Sequence, residues 1–458
     1  MVEKQKMKFW SIVLLTINSI IGTGIFLSPG SVAKLSGSLA PWIYLCAAVF
    51  ASVLAITFAS AAKYVTKNGA AYAYSKAAFG ENVGLYVGIT RFVAASIAWG
   101  VMATGVVKTT LSIFGYDSNN SLYITIGFLV LMLILMVINL TGTGILTFVS
   151  DLSTIGKLLA LGITIIAGIV ILLQTGHINL SEINLLKDAS GENLIPSITV
   201  TGFVTAVISA FYAFTGFESI GSGASDMENP EKNLPRAIPL AIGIIAAIYF
   251  GIVLVSMFID PKALITSKEV VVLASVFKSK LSNIIVYGAL VSMFGINVAA
   301  SFHTPRIFEA MAKEKQIPAY FDKRTSNGVP MRAFCITALL AIVIPMAFGY
   351  SMMGIMIISS ISRFIQFIIV PLGVVLFFYG KNKEEVLDAK KNFVTDVFFP
   401  LLSVVLTVFL LVKFNWAAQF SLKTESGEMV TNWYAISAMV IGYVVLPLVM
   451  FMFKKNEK

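Results

Sequence analysis

Asn18-Ser19-Ile20-Ile21-Gly22-Thr23-Gly24-Ile25-Phe26 and Phe211-Tyr212-Ala213-Phe214-Thr215-Gly216-Phe217-Glu218-Ser219 are the two stretches that decide the fold. Each sets glycine beside a hydroxyl residue in the middle of a long apolar run, and Gly221 and Gly223 follow the second. Glycine in a helix interior costs about 1 kcal/mol relative to alanine, so both runs are predicted to unwind at mid-length. Unwinding frees backbone N–H and C=O groups that hydrocarbon does not satisfy, and such backbone is tolerated only where it is buried in protein or lines a cavity. Freed N–H groups at a half-helix N-terminus suit a carboxylate, and freed carbonyls suit an ammonium group or a cation. Two such breaks together make a site for a zwitterion. Small residues also serve close helix packing, but the mid-run position and the pairing argue for a site.

Outward from the breaks the chain is of one kind. Of 458 residues 57% are hydrophobic and only 12% charged, and the mean hydropathy is +0.88. Soluble proteins carry about 25% charged residues, so this chain has too little charge to cover a water-facing surface. A soluble enzyme, a nucleic-acid binder and a disulfide-stapled secreted scaffold are excluded. A polytopic membrane protein is left.

A span needs about 20 mostly apolar residues, and twelve runs qualify: 9–35, 41–62, 83–107, 122–140, 155–173, 198–224, 237–259, 284–312, 333–348, 354–379, 397–412 and 433–453. With the N-terminus inside, the inner loops hold most of the 33 Lys and Arg residues, among them the cluster from Arg306 to Arg332 and Lys381, Lys383, Lys390 and Lys391. Basic residues mark cytoplasmic loops, so both termini are expected in the cytoplasm of a multi-pass plasma-membrane protein, and the net charge of +10 needs no acidic partner. The basic start, Met1 to Trp10, has no small-residue cleavage site and reads as the lead-in to an uncleaved first span. Cys46 and Cys335 lie in apolar runs and read as small buried hydrophobes. His177 and His303 are too few and too far apart for a metal centre, and no cofactor is implied. The loop at 177–196 reads as solvated connection. The whole of 1–458 is one membrane domain.

The breaks fall in spans one and six, corresponding positions in two five-span halves at about 9–173 and 198–379, with two further spans at about 397–453. Gly-interrupted spans in matching positions point to the binding site of an inverted-repeat transporter.

IIGTGIF (20–26), FYAFTGFES (211–219), the following ENPEKNLPRAI (228–238) and, after span eight, Arg306, EAMAKEKQIPAYF (309–321) and NGVP (327–330) together resemble the amino acid–polyamine–organocation transporters. The resemblance covers the chain from span one to span twelve. It implies an all-α polytopic membrane protein of the LeuT type: twelve transmembrane helices, a 5+5 inverted repeat with helices one and six broken, and two extra helices. It further implies that Ile20, Gly22, Thr23 and Gly24 form the carboxylate side of an amino acid pocket. Tyr212, Ala213, Phe214 and Thr215 would supply carbonyls for the amine and walls for the side chain, with Tyr212 as a gate over bound substrate. Core packing is the competing reading of the aromatics, above all Phe214.

Lys157 is the sharpest single residue, a few positions inside the expected fifth span. An intramembrane charge is functional by default, and Asp151 is six positions away, too far for an i,i+4 pair. In the family resembled, a lysine here occupies the place of a sodium ion. That implies sodium-independent transport, with protons or exchange as the coupling; snorkelling to the interface is the alternative. Arg91, about 12 Å of helical rise into span three, reads as a vestibule or snorkelling residue rather than an acid binder. Glu218, one turn past the second break, reads as a cap on freed amides or a member of a proton relay. Apart from it no carboxylate stands near the breaks, which disfavours cationic substrates. The stretch Asp226 to Arg236 is expected to start span seven.

The expected function is therefore secondary transport of an amino acid by alternating access, with amino acid, protons and lipid as the partners and no nucleic acid. A sodium-coupled symporter of the same fold is the nearest alternative. A membrane enzyme would need a cluster of Asp, Glu, His or Ser near one interface, and no such constellation exists in the spans. Two off-axis breaks suit an occluded site better than a channel, and no GxxxxGK[ST] loop marks an ATP-driven pump.

Overall fold

Apolar segments with internally satisfied backbone are what a bilayer tolerates, and the chain is built almost wholly of them. The computed structural model describes residues 7–66, 69–141, 143–176, 180–187, 191–195, 197–218, 220, 227–267, 271–277, 280–326, 328–423 and 428–456. The first half comprises α1 (Phe9–Ile20), α2 (Gly24–Leu27), α3 (Pro29–Ser36), α4 (Ala40–Tyr64), α5 (Ala71–Phe79), α6 (Glu81–Ile113), α7 (Ser121–Thr141) and α8 (Thr143–Thr175). Then follow α9 (Val200–Phe211), α10 (Pro230–Ile259), α11 (Pro261–Thr266), α12 (Val272–Val276), α13 (Lys280–Lys313), α14 (Met331–Ala347), α15 (Met352–Ile361) and α16 (Phe364–Phe378). The chain closes with α17 (Phe399–Lys413), α18 (Trp416–Gln419), β1 (Ser421–Lys423), β2 (Met429–Thr431), α19 (Trp433–Val440) and α20 (Leu446–Asn456). Among the described residues ten segments are long and apolar enough to cross a membrane. Two shorter apolar helices, Val200–Phe214 and Met331–Ala347, stand where the sixth and ninth spans are expected.

Several expectations need correction. The fifth span runs Ile155–Thr175, as expected, but its helix starts earlier, at Thr143, so Lys157 lies well inside the helix. Thr143, Thr147, Ser150, Asp151 and Ser153 lower the hydropathy of its first turns without stopping the helix, and Ser153 donates to the Ser292 carbonyl at 3.1 Å. The tenth span runs continuously over Met352–Phe378, as expected, with one tight turn at Ser362 and Arg363 between α15 and α16, where the Arg363 N–H reaches the Ser360 carbonyl. The fold is all-α except for β1 and β2, an antiparallel pair in the loop before α19. Cys46 and Cys335 are exposed, not buried; in a membrane protein the outward face of a helix is as apolar as its core face, so an apolar run does not separate them. Ser219, Gly221, Gly223 and Asp226, with His177, Pro196 and Asn327, lie outside the described residues. Pro230–Ile259 does begin before Arg236, as expected for the seventh span.

The core wraps the two breaks. Phe211, at the end of α9, meets Phe50 of α4 with ring centroids 4.8 Å apart and Phe367 of α16 at 5.8 Å. Phe217 stacks on the same Phe367 at 6.1 Å. Rings at these spacings add a specific attraction to their burial, and they fix the second break against α4 and α16.

One buried ion pair ties α4 to the helix leading into α17. Lys63 Nζ lies 2.6 Å from Asp396, which also accepts the Tyr64 hydroxyl at 2.8 Å and the Asn392 N–H at 2.9 Å. Removing one partner of a buried pair leaves an uncompensated charge, at a cost of about 3–5 kcal/mol. Asp396→Leu is therefore expected to lower the melting temperature in detergent sharply, and Lys63→Met/Asp396→Leu to recover most of the loss. Equal melting temperatures for Asp396→Leu and wild type would show the pair to be idle.

Candidate functional site

The first break is short. Ile21 is extended (φ −68°, ψ 100°) after α1 ends at Ile20, and helix resumes at Gly24. Pro29 at the first position of α3 restarts the run once more, where its missing N–H and fixed φ cost nothing. Among the described residues no backbone carbonyl takes the N–H groups of Gly22, Thr23 or Gly24. Among the described residues these three donors thus have no backbone partner at the start of α2, and N–H groups at a helix start suit negative charge. Ile20, Gly22, Thr23 and Gly24 are all buried.

The second break faces it. After α9 the chain makes a tight 3₁₀ turn, Tyr212–Phe214, and Thr215 is extended (φ −69°, ψ 151°). Gly216 follows at φ +121°, a conformation that side chains rarely allow. A Cβ on Gly24 would overlap the Ala213 backbone, and one on Gly216 would overlap the Ser19 carbonyl. On its other side Gly22 has Ile296 of α13 at 2.5 Å from any added Cβ. Gly24 and Gly216 are thus required by the contact between the breaks as well as by the breaks themselves, whereas Gly22 meets only the end of a side chain.

Polar contacts cross the seam. Thr23 Oγ1 and the Tyr212 hydroxyl are 3.1 Å apart. The Ala213 carbonyl accepts the Tyr249 hydroxyl at 3.2 Å, and the Tyr212 carbonyl accepts the Thr215 hydroxyl at 2.8 Å. Phe214 is fully buried with its ring 5.2 Å from that of Tyr249, so it packs into the wall behind the seam. Thr23, Gly24, Tyr212 and Ala213 come together; Phe214 and Thr215 support them from behind.

Lys157 reaches the same place from α8. It is only 3% exposed, and its ammonium group donates to the Asn18 carbonyl at 3.0 Å and the Ile21 carbonyl at 2.9 Å. Both carbonyls belong to the turn that the first break releases. The side chain is therefore turned inward, and a snorkelling pose is not what it adopts.

Four participants carry weaker signals in the sequence or none. Glu218 takes the Gly216 N–H at 2.8 Å, the cap expected of it, but its other oxygen lies 3.0 Å from Arg363 Nε. Arg91 donates to Gln366 Oε1 at 3.2 Å rather than extending to an interface. Arg363 was visible only as a charge within a span, and Tyr249 carried no signal at all.

The chain is similar to known proteins over nearly its full length. The family model for amino acid permeases matches residues 7–446. An uncharacterised transporter of Mycobacterium tuberculosis is 39% identical over 459 residues, covering 96% of this chain and 93% of the relative. A serine/threonine exchanger of Bacillus subtilis is 29% identical over 69% of each chain. A branched-chain amino acid permease of Lactococcus lactis is 25% identical over 90% of this chain and 89% of its own.

Proposed function

We propose that this chain, which belongs to the amino acid permease family, moves an α-amino acid across the plasma membrane by alternating access, with the seam between its two broken helices as the substrate site. The observation that carries this is the set of free amides at Gly22, Thr23 and Gly24 opposite the turn at Tyr212 to Thr215. The amides hold the substrate carboxylate, the carbonyls of the second break hold its ammonium group, and Tyr212 closes over both. Binding a zwitterion this way uses backbone alone, which leaves the side chain to be selected elsewhere.

Around this site we place a twelve-span LeuT-type frame with both termini in the cytoplasm. Lys157 stands where a sodium ion would otherwise bridge the carbonyls of the first break, so the transporter is sodium-independent and works as a proton symporter or an exchanger. The serine/threonine exchanger and the branched-chain permease, by their names, carry amino acids with different side chains, so the backbone site fits the family and the side-chain class must be found separately. Cationic side chains are disfavoured, because Glu218 is already engaged by Arg363.

The test is uptake of the twenty amino acids into proteoliposomes, with and without internal amino acid and with an imposed proton gradient. At least one is expected to accumulate. Uptake only against internal substrate assigns exchange, and uptake driven by protons assigns symport. If none of the twenty enters, the reading fails.

A further inference from the structure

We infer that the site takes an amino acid bearing a second carboxylate, with Arg363 as its partner and Arg91 beside it. The inference rests on the transport reading above and names its substrate class. Arg363 stands at the tight turn within the tenth span, where α16 begins. Its Nε lies 3.0 Å from Glu218 Oε1, and the other Glu218 oxygen takes the N–H of Gly216. Gly216 in turn abuts the Ser19 carbonyl at the first break. Arg363 is therefore one carboxylate removed from both breaks, and its charge is within electrostatic reach of the Tyr212 hydroxyl.

The guanidinium is not used up. Arg363 is 8% exposed, and its Nη1 is buried with no hydrogen-bond partner among the described residues. A second guanidinium, Arg91 of α6, donates to Gln366 three residues further along α16 and interacts electrostatically with both Glu218 and Arg363. Among the described residues Glu218 is the carboxylate that both guanidiniums face, and it reaches Arg363 at Nε, which leaves Nη1 for another acceptor. An orphaned buried donor is costly, more so when it is charged. An anion supplied only when substrate is present would satisfy it.

The planar guanidinium edge suits a carboxylate. An aspartate or glutamate whose α groups sit at the breaks carries that carboxylate, whereas asparagine and glutamine bring no anion to the Arg363 Nη1. Chloride is the other source of negative charge, and it is separable by experiment.

In proteoliposomes, glutamate or aspartate is expected to be taken up, with glutamine and asparagine competing about tenfold less well or worse. Replacing chloride by gluconate should leave that preference unchanged. Arg363→Gln is expected to lower acidic uptake by about tenfold or more and to turn the preference toward the amides. Arg363→Gln/Glu218→Gln, which removes the pair together, should share that turned preference. Should neither variant fold, competition on the wild type decides alone. Uptake of neutral amino acids with no advantage for the acids overturns the inference and leaves transport standing, as does neutral uptake that requires chloride. No uptake of any amino acid overturns the transport reading and this inference with it.

Discussion

Gly24→Val is expected to reduce substrate binding and uptake to background while the protein remains folded in the membrane. The added Cβ would overlap the Ala213 backbone, and the γ-methyls add further bulk at the same contact. The overlap is with main chain, which cannot rotate away, so the two breaks must separate. Overpacking of this kind costs about 1–3 kcal/mol, small enough for a large helical protein to survive. The separation nevertheless disrupts the site, because the free amides of Gly22 to Gly24 and the turn at Tyr212 no longer face each other across one ligand. Gly24→Ala should fail in the same sense and less completely. Ala213→Gly should not rescue either variant, since it removes a methyl and leaves the opposing Cα in place. Decarboxylated amine analogues of the substrate should compete poorly with wild type, having no anion for the amides. Ligand-induced thermal stabilisation reports binding independently of uptake. A normal ligand shift in Gly24→Val would remove the first break from the substrate site.

The parts of this site that local chemistry dictates were legible in the sequence. Gly22, Gly24 and Gly216 announce breaks because glycine opposes helix wherever it stands, and Lys157 announces itself because a cation in an apolar run needs a reason. What those glycines pack against was not legible. The fit of Gly24 on Ala213 and of Gly216 on the Ser19 carbonyl depends on tertiary approach. The pairing of Glu218 with Arg363 joins residues far apart in the chain, and one sequence without relatives aligned to it carries no trace of such a contact. The tight turn in the tenth span escaped for a different reason. It falls at Ser362 and Arg363 between isoleucine and phenylalanine, without a glycine or proline to mark it. The early start of α8 escaped because hydropathy measures apolarity, whereas helix continuity depends on backbone hydrogen bonding, which Thr143 to Ser153 satisfy. Phe214 shows the limit on side-chain roles. A phenylalanine on a break is equally suited to touching a ligand or to packing behind it, and its ring lies against that of Tyr249.

Lys157→Ala is expected to strip the transporter of most of its activity without unfolding it. The ammonium group is held by the Asn18 and Ile21 carbonyls, both pointing to one spot in the low-dielectric interior. Without it their dipoles face each other unmet, each lost partner costing about 1–3 kcal/mol, and α8 loses its hold on the first break. Lys157→Arg should be a poor rescue, since a planar fork does not fit the place of a compact cation. If the ammonium group takes the role of a sodium ion, wild-type uptake should be the same in sodium and in choline at constant pH. Sodium-stimulated wild-type uptake would move the protein to the sodium-coupled alternative. Full activity of Lys157→Ala would reduce the residue to a structural tie. Coupling then follows from one further comparison. A fixed charge leaves exchange intact and indifferent to the proton gradient, whereas a lysine that releases its proton in each cycle makes accumulation follow that gradient. In the second case Lys157→Ala should lose gradient-driven accumulation even where some exchange survives, because removal of the titrating group abolishes the coupling before it abolishes the passage.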